Sequence, residues 1–554
     1  MEETREYLIP NIFNIEDIAS KYPRLTFILI SGNLAVVSVP PDANEEFEAL
    51  QQEVGAIYEP VLYGLNAIEA VVQSNISIFH TYPFGELRGN GVIIGFVDTG
   101  IQYTNTLFKY EDNTTRIIEM WDQSIEGNGT LTFKYGTVYT EAQINEALSS
   151  SNPLSIVPST DENGHGTFLA GVAAGNERGV PGGYVGGAPD ATLAVVKLRP
   201  ARQYIRDYYL INEDAVAYQD TDYLAGLDYL LGLSIRKNMP IVICTGLGTN
   251  QGGHSGRTFA ETYLEGASTF EDTIFVLSAG NEANQGHHYS GSVTQGGTSV
   301  FEVNVGPDER GFVMGLWTDP PDKLTVAVRS PLGGNTQRIP INEVQPQEYT
   351  FPLEQTRLQV LYNNSQLTSG EEVITLRFVN PTPGIWAITV YGENVISGRY
   401  NVWLPRQGFI DADTRFLQPD VFTTITAPGN AFYNITVGAY NGADQSIYAA
   451  SSRGPTREMT ILPTLTAPGV NVEGPNLIGG YTTYSGTSVS AAVTASACVL
   501  LLEWAVIKGN LRLMSTRIAR NILIRGAKRT PNTVYPNNVE GYGKLDLQNS
   551  LLLV

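Results

Sequence analysis

Three short segments, in the order Asp, His, Ser, constrain this chain more than any other feature. They are residues 97–100, 163–167 and 485–488. Asp98 ends an apolar run typical of a buried strand, and parallel sheets carry functional side chains at the carboxyl ends of their strands. His165 lies between two glycines at the start of a helical segment. Ser488 begins a long apolar run, so its hydroxyl is expected at a helix N-terminus, where backbone amides favour a developing oxyanion.

These three residue types form a chemically complete set. A serine hydroxyl is a weak nucleophile until a base takes its proton, and the base needs an acid to orient it. Asp98, His165 and Ser488 supply these groups in the chain order of the subtilisin arrangement. Each motif alone is common and is compatible with an ordinary turn. Only five histidines are present, and one of them occupies the position that the motif requires. Together the three segments predict a serine peptidase.

A fourth segment, residues 274–281, is an apolar run followed by small residues and an asparagine. Acyl transfer places negative charge on the former carbonyl oxygen, and a fixed amide donor lowers that barrier by roughly 3 kcal/mol. Asn281 is therefore predicted to be an oxyanion donor, with a simple turn asparagine as the alternative. The small residues Ser278, Ala279 and Gly280 are predicted to form the floor of a substrate pocket.

Together these segments resemble the subtilase family of serine proteases, and the resemblance covers about residues 90–300 and 430–545. It implies an α/β fold with a subtilisin-like parallel sheet flanked by helices. It also implies that Gly246, Leu247 and Gly248 pair with the backbone of the substrate, where glycine permits a close approach.

The rest of the chain is divided by turn signals and by its strand patterns. Residues 1–65 resemble a small α+β prodomain of the family, a folding template and inhibitor; an ordinary N-terminal extension is the alternative. Residues 66–295 and 426–554 are predicted to be the two parts of the catalytic domain. Residues 296–425 hold short alternating runs, which predict an inserted all-β, jelly-roll-like domain. Its predicted role is a structural clamp, and carbohydrate binding is the alternative.

Self-cleavage of the prodomain is expected close to its end, because a folding template must finish in an extended strand that lies in the cleft. The predicted self-cleavage region consists of Tyr63, Gly64, Leu65, Asn66, Ala67 and Ile68. Gly64 allows the backbone to approach the nucleophile closely.

Four features narrow the resemblance to the Csp subtilases of clostridia, the germination-specific proteases. They are the insertion between Asp98 and His165, the segment 248–254, the inserted β domain and an N-terminus without a secretory signal. The resemblance implies a prodomain that is retained after self-cleavage and other Csp-like proteins as partners. It also implies a protein substrate, the zymogen of a spore cortex-lytic hydrolase. Two functions stay open: an active endopeptidase, and a catalytically silent regulatory protein whose prodomain blocks the cleft.

Charge and sequence pattern limit the possible partners and the cellular location of the protein. A formal net charge of −22 argues against nucleic acid and anionic membranes as partners, and the apolar run 489–505 is too short for a membrane span. The N-terminal residues lack the pattern of a secretory signal, so we expect synthesis in the cytoplasm and, from the resemblance, packaging in the spore.

Cys244 and Cys498 are interpreted as buried apolar residues without a disulfide. No cofactor or metal is predicted, because an arginine stands in the segment 176–179, where many secreted subtilases bind calcium.

Overall fold

The structure, a computed structural model, describes residues 4–10, 15–31, 34–54, 57–65, 72–81, 86–178, 180, 182–363 and 370–554. Within these residues the strands are, in chain order, β1 (Arg5–Pro10), β2 (Thr26–Ser31), β3 (Leu34–Val39), β4 (Leu62–Leu65), β5 (Ile93–Asp98), β6 (Ile117–Asp122), β7 (Thr137–Thr140), β8 (Thr192–Lys197), β9 (Tyr218–Gln219), β10 (Ile241–Thr245), β11 (Leu247–Gly248), β12 (Thr273–Ser278), β13 (His288–Ser292), β14 (Thr298–Val305), β15 (Gly311–Thr318), β16 (Lys323–Arg329), β17 (Gln347–Phe351), β18 (Thr356–Asn363), β19 (Glu372–Val379), β20 (Gly384–Asn394), β21 (Arg399–Trp403), β22 (Arg415–Phe416), β23 (Ile435–Tyr440), β24 (Leu465–Pro468), β25 (Val472–Pro475) and β26 (Tyr481–Tyr484).

The α-helices in the same part of the chain are α1 (Ile15–Lys21), α2 (Asn44–Val54), α3 (Glu141–Ser149), α4 (His165–Ala174), α5 (Gln203–Tyr209), α6 (Asp220–Lys237), α7 (Phe259–Ala267), α8 (Thr487–Leu502), α9 (Thr516–Gly526) and α10 (Leu547–Leu552).

The catalytic part is built on an eight-stranded sheet in the order β24-β23-β12-β10-β5-β8-β6-β7. Its neighbouring strands are parallel, except for the antiparallel edge pair β6 and β7. Every residue of β5, β10 and β12 is buried, because helices cover both faces of such a sheet. These three strands are parallel neighbours, so their carboxyl ends lie side by side. The predicted parallel sheet flanked by helices is confirmed.

Helix α8 lies in the centre of the core, and all of its residues are buried. It packs against β10, β12, β23 and α4, and its many alanines let these neighbours lie close. The continuous helix Thr487–Ile507 is longer than the apolar run found in the sequence. By length and composition alone it is long and apolar enough to cross a membrane, and 83% of its apolar window is buried inside this fold.

Residues 4–54 form a small α+β body, called here the N-terminal unit. Its sheet has the antiparallel order β1-β3-β2. Strand β3 shows the two-residue alternation of a sheet that is covered on both faces. Its Ala35 and Val37 pack with α2 in the unit's own core, whereas Leu34 and Val36 join Leu224 of α6 in the core of the catalytic part.

The described residues between 288 and 416 form two packed antiparallel sheets, called here the β-sandwich. One sheet has the order β13-β21-β15-β19-β18-β17, and the other has the order β16-β20-β14-β22. The inner faces meet in a core that contains Phe312, Phe378 and Trp386. The expected inserted all-β domain is confirmed, and its first strand begins ahead of residue 296. Its two ends are close together, because the Phe416 N–H donates to the Gly286 carbonyl at 2.9 Å.

Candidate active site

The structure brings Asp98, His165 and Ser488 into one chain of hydrogen bonds. His165 Nδ1 lies 2.7 Å from Asp98 Oδ1, and the imidazole and carboxylate are both almost fully buried. His165 Nε2 lies 3.2 Å from Ser488 Oγ on the other side of the ring. With Nδ1–H donating to the carboxylate, Nε2 is the basic nitrogen and accepts the serine hydroxyl. This geometry allows His165 to take the proton of Ser488.

Local contacts hold His165 at the first position of α4. Asp161 Oδ1 accepts the Gly164 N–H at 2.8 Å, and Asp161 Oδ2 accepts the Thr167 N–H at 2.8 Å. A carboxylate at this end of a helix satisfies free amides and opposes the helix dipole. A Cβ at Gly166 would lie 2.2 Å from the Gly100 carbonyl, so glycine lets α4 approach the turn after Asp98. Asp161 was not among the residues predicted from the sequence. The one signal for it is that an aspartate stands four residues before the start of a helix.

Ser488 is the second residue of α8 and is fully buried. Gly246, between β10 and β11, lies directly against it. A Cβ at Gly246 would stand 2.8 Å from Ser488 Cβ and 2.9 Å from His165 Cε1. A side chain at this position would therefore displace one of the two residues that must exchange a proton.

The Asn281 side chain is attached to the start of the same helix. Its Oδ1 accepts the backbone N–H of Thr487, the residue before Ser488, at 3.1 Å. The Gly280 N–H donates to Thr487 Oγ1 at 3.0 Å, which makes a second link between the two segments. Because the Asn281 oxygen is used in this contact, its Nδ2 group remains to donate elsewhere. A donor so close to the nucleophile suits the predicted oxyanion role.

The predicted pocket residues precede Asn281 and have their backbones firmly bound. The Ala279 N–H donates to the Val437 carbonyl, and the Ala279 carbonyl accepts the Thr426 N–H, both at 3.0 Å. Ser278 and Ala279 are buried, and Ala279 packs against Ile425. These contacts hold the segment in front of Asn281 rigidly. That Ser278, Ala279 and Gly280 contact substrate stays a prediction.

A strand of the chain itself lies beside the catalytic residues. Strand β4 is the middle strand of a three-stranded sheet, in the order β11-β4-β9. In the pairing with β11, Leu65 is opposite Leu247 and Gly64 is opposite Gly248. The predicted substrate strand thus binds an extended backbone in the antiparallel sense, and Gly246 adjoins it. Of the predicted self-cleavage region, Tyr63, Gly64 and Leu65 belong to β4, whereas Asn66, Ala67 and Ile68 lie outside the described residues.

The third strand of this sheet, which lies on the other side of β4 from β11, was not predicted from the sequence. Strand β9 consists only of Tyr218 and Gln219, and these residues pair with Tyr63 and Leu62 of β4. A strand of two residues carries no periodicity, so no sequence signal could have revealed it. Burial and the neighbouring charge of Asp98 raise the pKa of Tyr218 above its usual range, so its hydroxyl is neutral at physiological pH.

The two cysteines are free thiols inside the core. Burial raises the pKa of both Cys244 and Cys498, with the charge of Asp98 adding to the effect at Cys244. A thiol acts as a nucleophile in its thiolate form. Both thiols are therefore kept in the neutral form, which is a poor nucleophile.

The segment 176–179 is bound through ion pairs. Arg178 Nη2 donates to Asp190 Oδ1 at 2.6 Å, and the Arg88 side chain pairs with the other oxygen of that carboxylate. Among the described residues, no group of three or more His, Cys, Asp or Glu side chains is arranged to hold a metal ion. That the protein functions without calcium stays a prediction.

Two kinds of comparison with known proteins give matches. The family model described as "Subtilase family" (peptidase S8) matches residues 89–346 and 418–543. The solved structure of the CspB protease of Clostridium perfringens is 31% identical, with a TM-score of 0.77. The match covers 87% of this chain and 99% of that chain. No curated protein matches the sequence.

Two further solved structures are more distant. The epidermin leader peptide processing serine protease of Staphylococcus aureus is 12% identical, with a TM-score of 0.45, over 99% of this chain and 98% of that chain. A cold-adapted subtilisin-like serine proteinase is 15% identical, with a TM-score of 0.37, over 83% of this chain and 90% of that chain.

Proposed function

The chain belongs to the subtilase family of serine peptidases, and on that premise we propose that it cuts its own chain after the N-terminal unit and then a protein substrate. The observation that carries this proposal is the placement of β4. An extended segment of the chain is paired with β11, and β11 directly follows Gly246, which lies against Ser488 and His165. A substrate of a peptidase is held in this way, by main-chain hydrogen bonds to an open strand edge.

The proposed mechanism assigns one role to each group. His165, oriented by Asp98, takes the proton of Ser488 Oγ as the oxygen attacks the scissile carbonyl carbon. Asn281 Nδ2 and the Ser488 backbone N–H stabilise the oxyanion. His165 then gives the proton to the leaving amine, the C–N bond breaks, and water hydrolyses the acyl-enzyme with His165 again as the base.

The register between β4 and β11 indicates which bond we propose is cut. Leu65 is opposite Leu247, and Gly64 is opposite Gly248. We propose that the chain keeps this antiparallel register for one more residue, which would then meet Gly246, the residue that lies against Ser488 and His165. The proposed cut is therefore the bond between Asn66 and Ala67, inside the predicted self-cleavage region.

The test compares wild type with Ser488→Ala. We expect the wild type to be recovered as two associated fragments, the larger of which begins at Ala67. Ser488→Ala should remain one chain of 60.2 kDa, because loss of the nucleophile removes about a factor of 10⁶ in kcat in a related triad. Intact mass and N-terminal sequencing give the result. The same cut in Ser488→Ala, or a new N-terminus outside residues 64–69, would contradict the proposal.

For the protein substrate, we propose the zymogen of a spore cortex-lytic hydrolase, cleaved during germination. The similarity to the clostridial CspB protease supports this role. The purified, self-cleaved protein should convert such a zymogen to a shorter form, and Ser488→Ala should not. If the zymogen stays intact, even after removal of the N-terminal fragment, the proposed protein substrate is wrong and only the proposed self-cleavage remains.

One observation favours the second candidate, a silent regulatory protein. Strand β4 occupies the edge of β11 that a foreign substrate needs. If the wild-type chain remains uncut, as Ser488→Ala does, the regulatory function replaces the enzymatic one.

A further inference from the structure

One buried carboxylate joins the oxyanion segment to the start of the β-sandwich and to its segment between β21 and β22. Glu282 directly follows Asn281 and is 3% exposed. Its Oε2 lies 2.7 Å from Nδ1 of His287, the residue before β13. Its Oε1 accepts the backbone N–H of Gln407, four residues after β21, at 3.2 Å. The Glu282 N–H itself donates to Ser452 Oγ at 2.9 Å, so this residue is held from three directions.

The same junction reaches the strand that binds the extended backbone. Asn250, two residues after β11, donates from Nδ2 to Glu282 Oε2 at 3.0 Å. Arg406 is 6% exposed and donates from Nη1 to the Gly248 carbonyl at 3.1 Å. Gly248 is the residue that pairs with Gly64 of β4. The segment of the β-sandwich between β21 and β22 is therefore in direct contact with the binding edge.

The charges at this junction favour a fixed geometry. Burial acts to raise the pKa of Glu282, but the hydrogen bond and charge of His287, with the charge of Arg406, outweigh it and leave this pKa below its usual value. Glu282 is thus an anion at neutral pH. Loss of a partner would leave a buried anion uncompensated, which is strongly unfavourable, so movements of its partners are opposed.

We propose that Glu282 and Arg406 are positioning residues for peptide cleavage. Glu282 holds Asn281 where the oxyanion forms, and Arg406 holds β11 where the substrate backbone binds. Neither residue touches the reacting atoms. The β-sandwich then contributes to the reaction rate by fixing the two segments at its ends, which goes beyond a structural clamp. This inference rests on the proposed self-cleavage and names further residues for it.

The first experiment measures the rate of self-cleavage of the full chain in a cell-free translation time course. We expect Glu282→Gln, which removes the charge but little volume, to slow the cut by about tenfold or more, because small displacements of an oxyanion donor are costly. The matched control is Glu309→Gln. Glu309 is also a buried carboxylate, but its partners Gly311, Asp411 and Thr414 all lie within the β-sandwich. Equal rates for the two variants would overturn the proposal.

The second experiment separates positioning from a structural effect. If Glu282 acts through Asn281, Glu282→Gln should slow the cut strongly in the wild type and only slightly in an Asn281→Ala background. The same factor in both backgrounds would mean that Glu282 does not act through Asn281. Thermal unfolding checks that the variants fold. If Glu282→Gln does not fold, His287→Gln replaces the ring that contacts Glu282 and keeps the carboxylate, and it should also slow the cut in the wild type but only slightly in the Asn281→Ala background.

The third experiment tests the contact with β11. Arg406→Met should slow self-cleavage several-fold, and Arg406→Lys should restore part of the rate because it keeps a charged donor. Arg338→Met is the control, since Arg338 is a half-exposed arginine of the β-sandwich that pairs with Glu393. Slowing by Arg338→Met to the same extent would contradict the proposal.

Wild type and Ser488→Ala are measured alongside these variants. A wild type that is not cut, or a Ser488→Ala that is cut, would end the proposed function. If these two behave as expected and Glu282→Gln is cut at the wild-type rate, only the positioning role fails.

Discussion

The N-terminal unit and the β-sandwich are both attached to the catalytic part, but they bury their apolar surfaces differently. The sheet of the N-terminal unit contributes Leu8, Ile30, Leu34 and Val36 to a core that it shares with α6. The main core of the β-sandwich contains residues of the β-sandwich only, and Phe409 and Val313 join a small separate cluster with α5. Because burial of apolar area is the main source of stability, the N-terminal unit depends on the catalytic part. The β-sandwich is stable largely by its own packing.

The polar attachments differ in whether they survive cleavage. The N-terminal unit supplies one buried carboxylate, Glu6, which lies 2.9 Å from Arg199 Nη2 and 2.8 Å from Arg202 Nη2. At the β-sandwich, the buried carboxylates are Glu282 of the catalytic part and Glu371 of the β-sandwich, which pairs with Arg457. The contact of Glu6 is lost if the N-terminal unit leaves after cleavage. The contacts of Glu282 persist, because the chain is continuous on both sides of the β-sandwich.

The largest expected effect comes from a substitution in the separate core of the β-sandwich. Trp386 is fully buried in the β-sandwich, and Trp386→Ala should lower the free energy of unfolding by about 3–5 kcal/mol through the cavity that it leaves. Hydrogen exchange should show lost protection inside residues 288–416 only. Leu8→Ala is the comparison, and it should lower protection in both the N-terminal unit and α6. Loss of protection in α6 in Trp386→Ala would show that the cores are not separate.

The next effect concerns the attachment of the N-terminal unit. Glu6→Ala leaves Arg202 buried without its carboxylate, whereas Arg199 keeps a partner in Asp222 at 2.7 Å. We expect binding of the N-terminal fragment to weaken by about 3 kcal/mol, as for other broken buried ion pairs. The dissociation rate of the fragment after self-cleavage measures it. Lys21→Ala, in an exposed pair with Glu53 inside the unit, should change this rate little, and an equal effect would contradict the prediction.

The elements that the sequence predicted well have local signals. Asp98, His165 and Ser488 each lie in a contiguous motif whose residue types are required by the chemistry, and the structure brings all three together. Long apolar runs such as α8 are also recognisable, because core helices and core strands are the most strongly patterned segments.

The features that the sequence did not reveal depend on contacts between distant segments. Strand β9 has two residues and exists only because β4 lies beside it. Glu282 and Gln407 are 125 positions apart, and their contact follows from how the segment between β21 and β22 packs on the catalytic part. Glu6 and Arg199 are 193 positions apart. No local periodicity or motif encodes such pairs, so they emerge only when the units pack.

A smaller effect is expected on the pH dependence of fragment release, which tests the role of the Glu6 charge. Burial acts to raise the pKa of Glu6, but the charges of Arg199 and Arg202 outweigh it and leave this pKa lowered. A lowered pKa contributes stability above the ordinary glutamate value of about 4.3, and this contribution is lost as the pH falls through the folded value. We therefore expect Glu6→Gln to release the N-terminal fragment faster than the wild type at pH 7. The two rates should converge below about pH 4, and a constant ratio would exclude a role for the charge.

The smallest effect concerns Asp220, which links the N-terminal segment to α6. Its backbone N–H donates to the Val61 carbonyl, just ahead of β4, at 3.1 Å. Burial raises the pKa of its carboxyl well above the usual range. A raised carboxyl pKa means that the folded state binds its proton more tightly than the unfolded state, so this group costs stability as the pH rises above about 4. Asp220→Asn cannot ionise, and it should raise Tm slightly at pH 8 relative to wild type, with a smaller difference near pH 4. The exposed Asp207→Asn on α5 is the control. A Tm difference that does not grow with pH would show that Asp220 is ionised in the folded protein and that its burial carries no penalty.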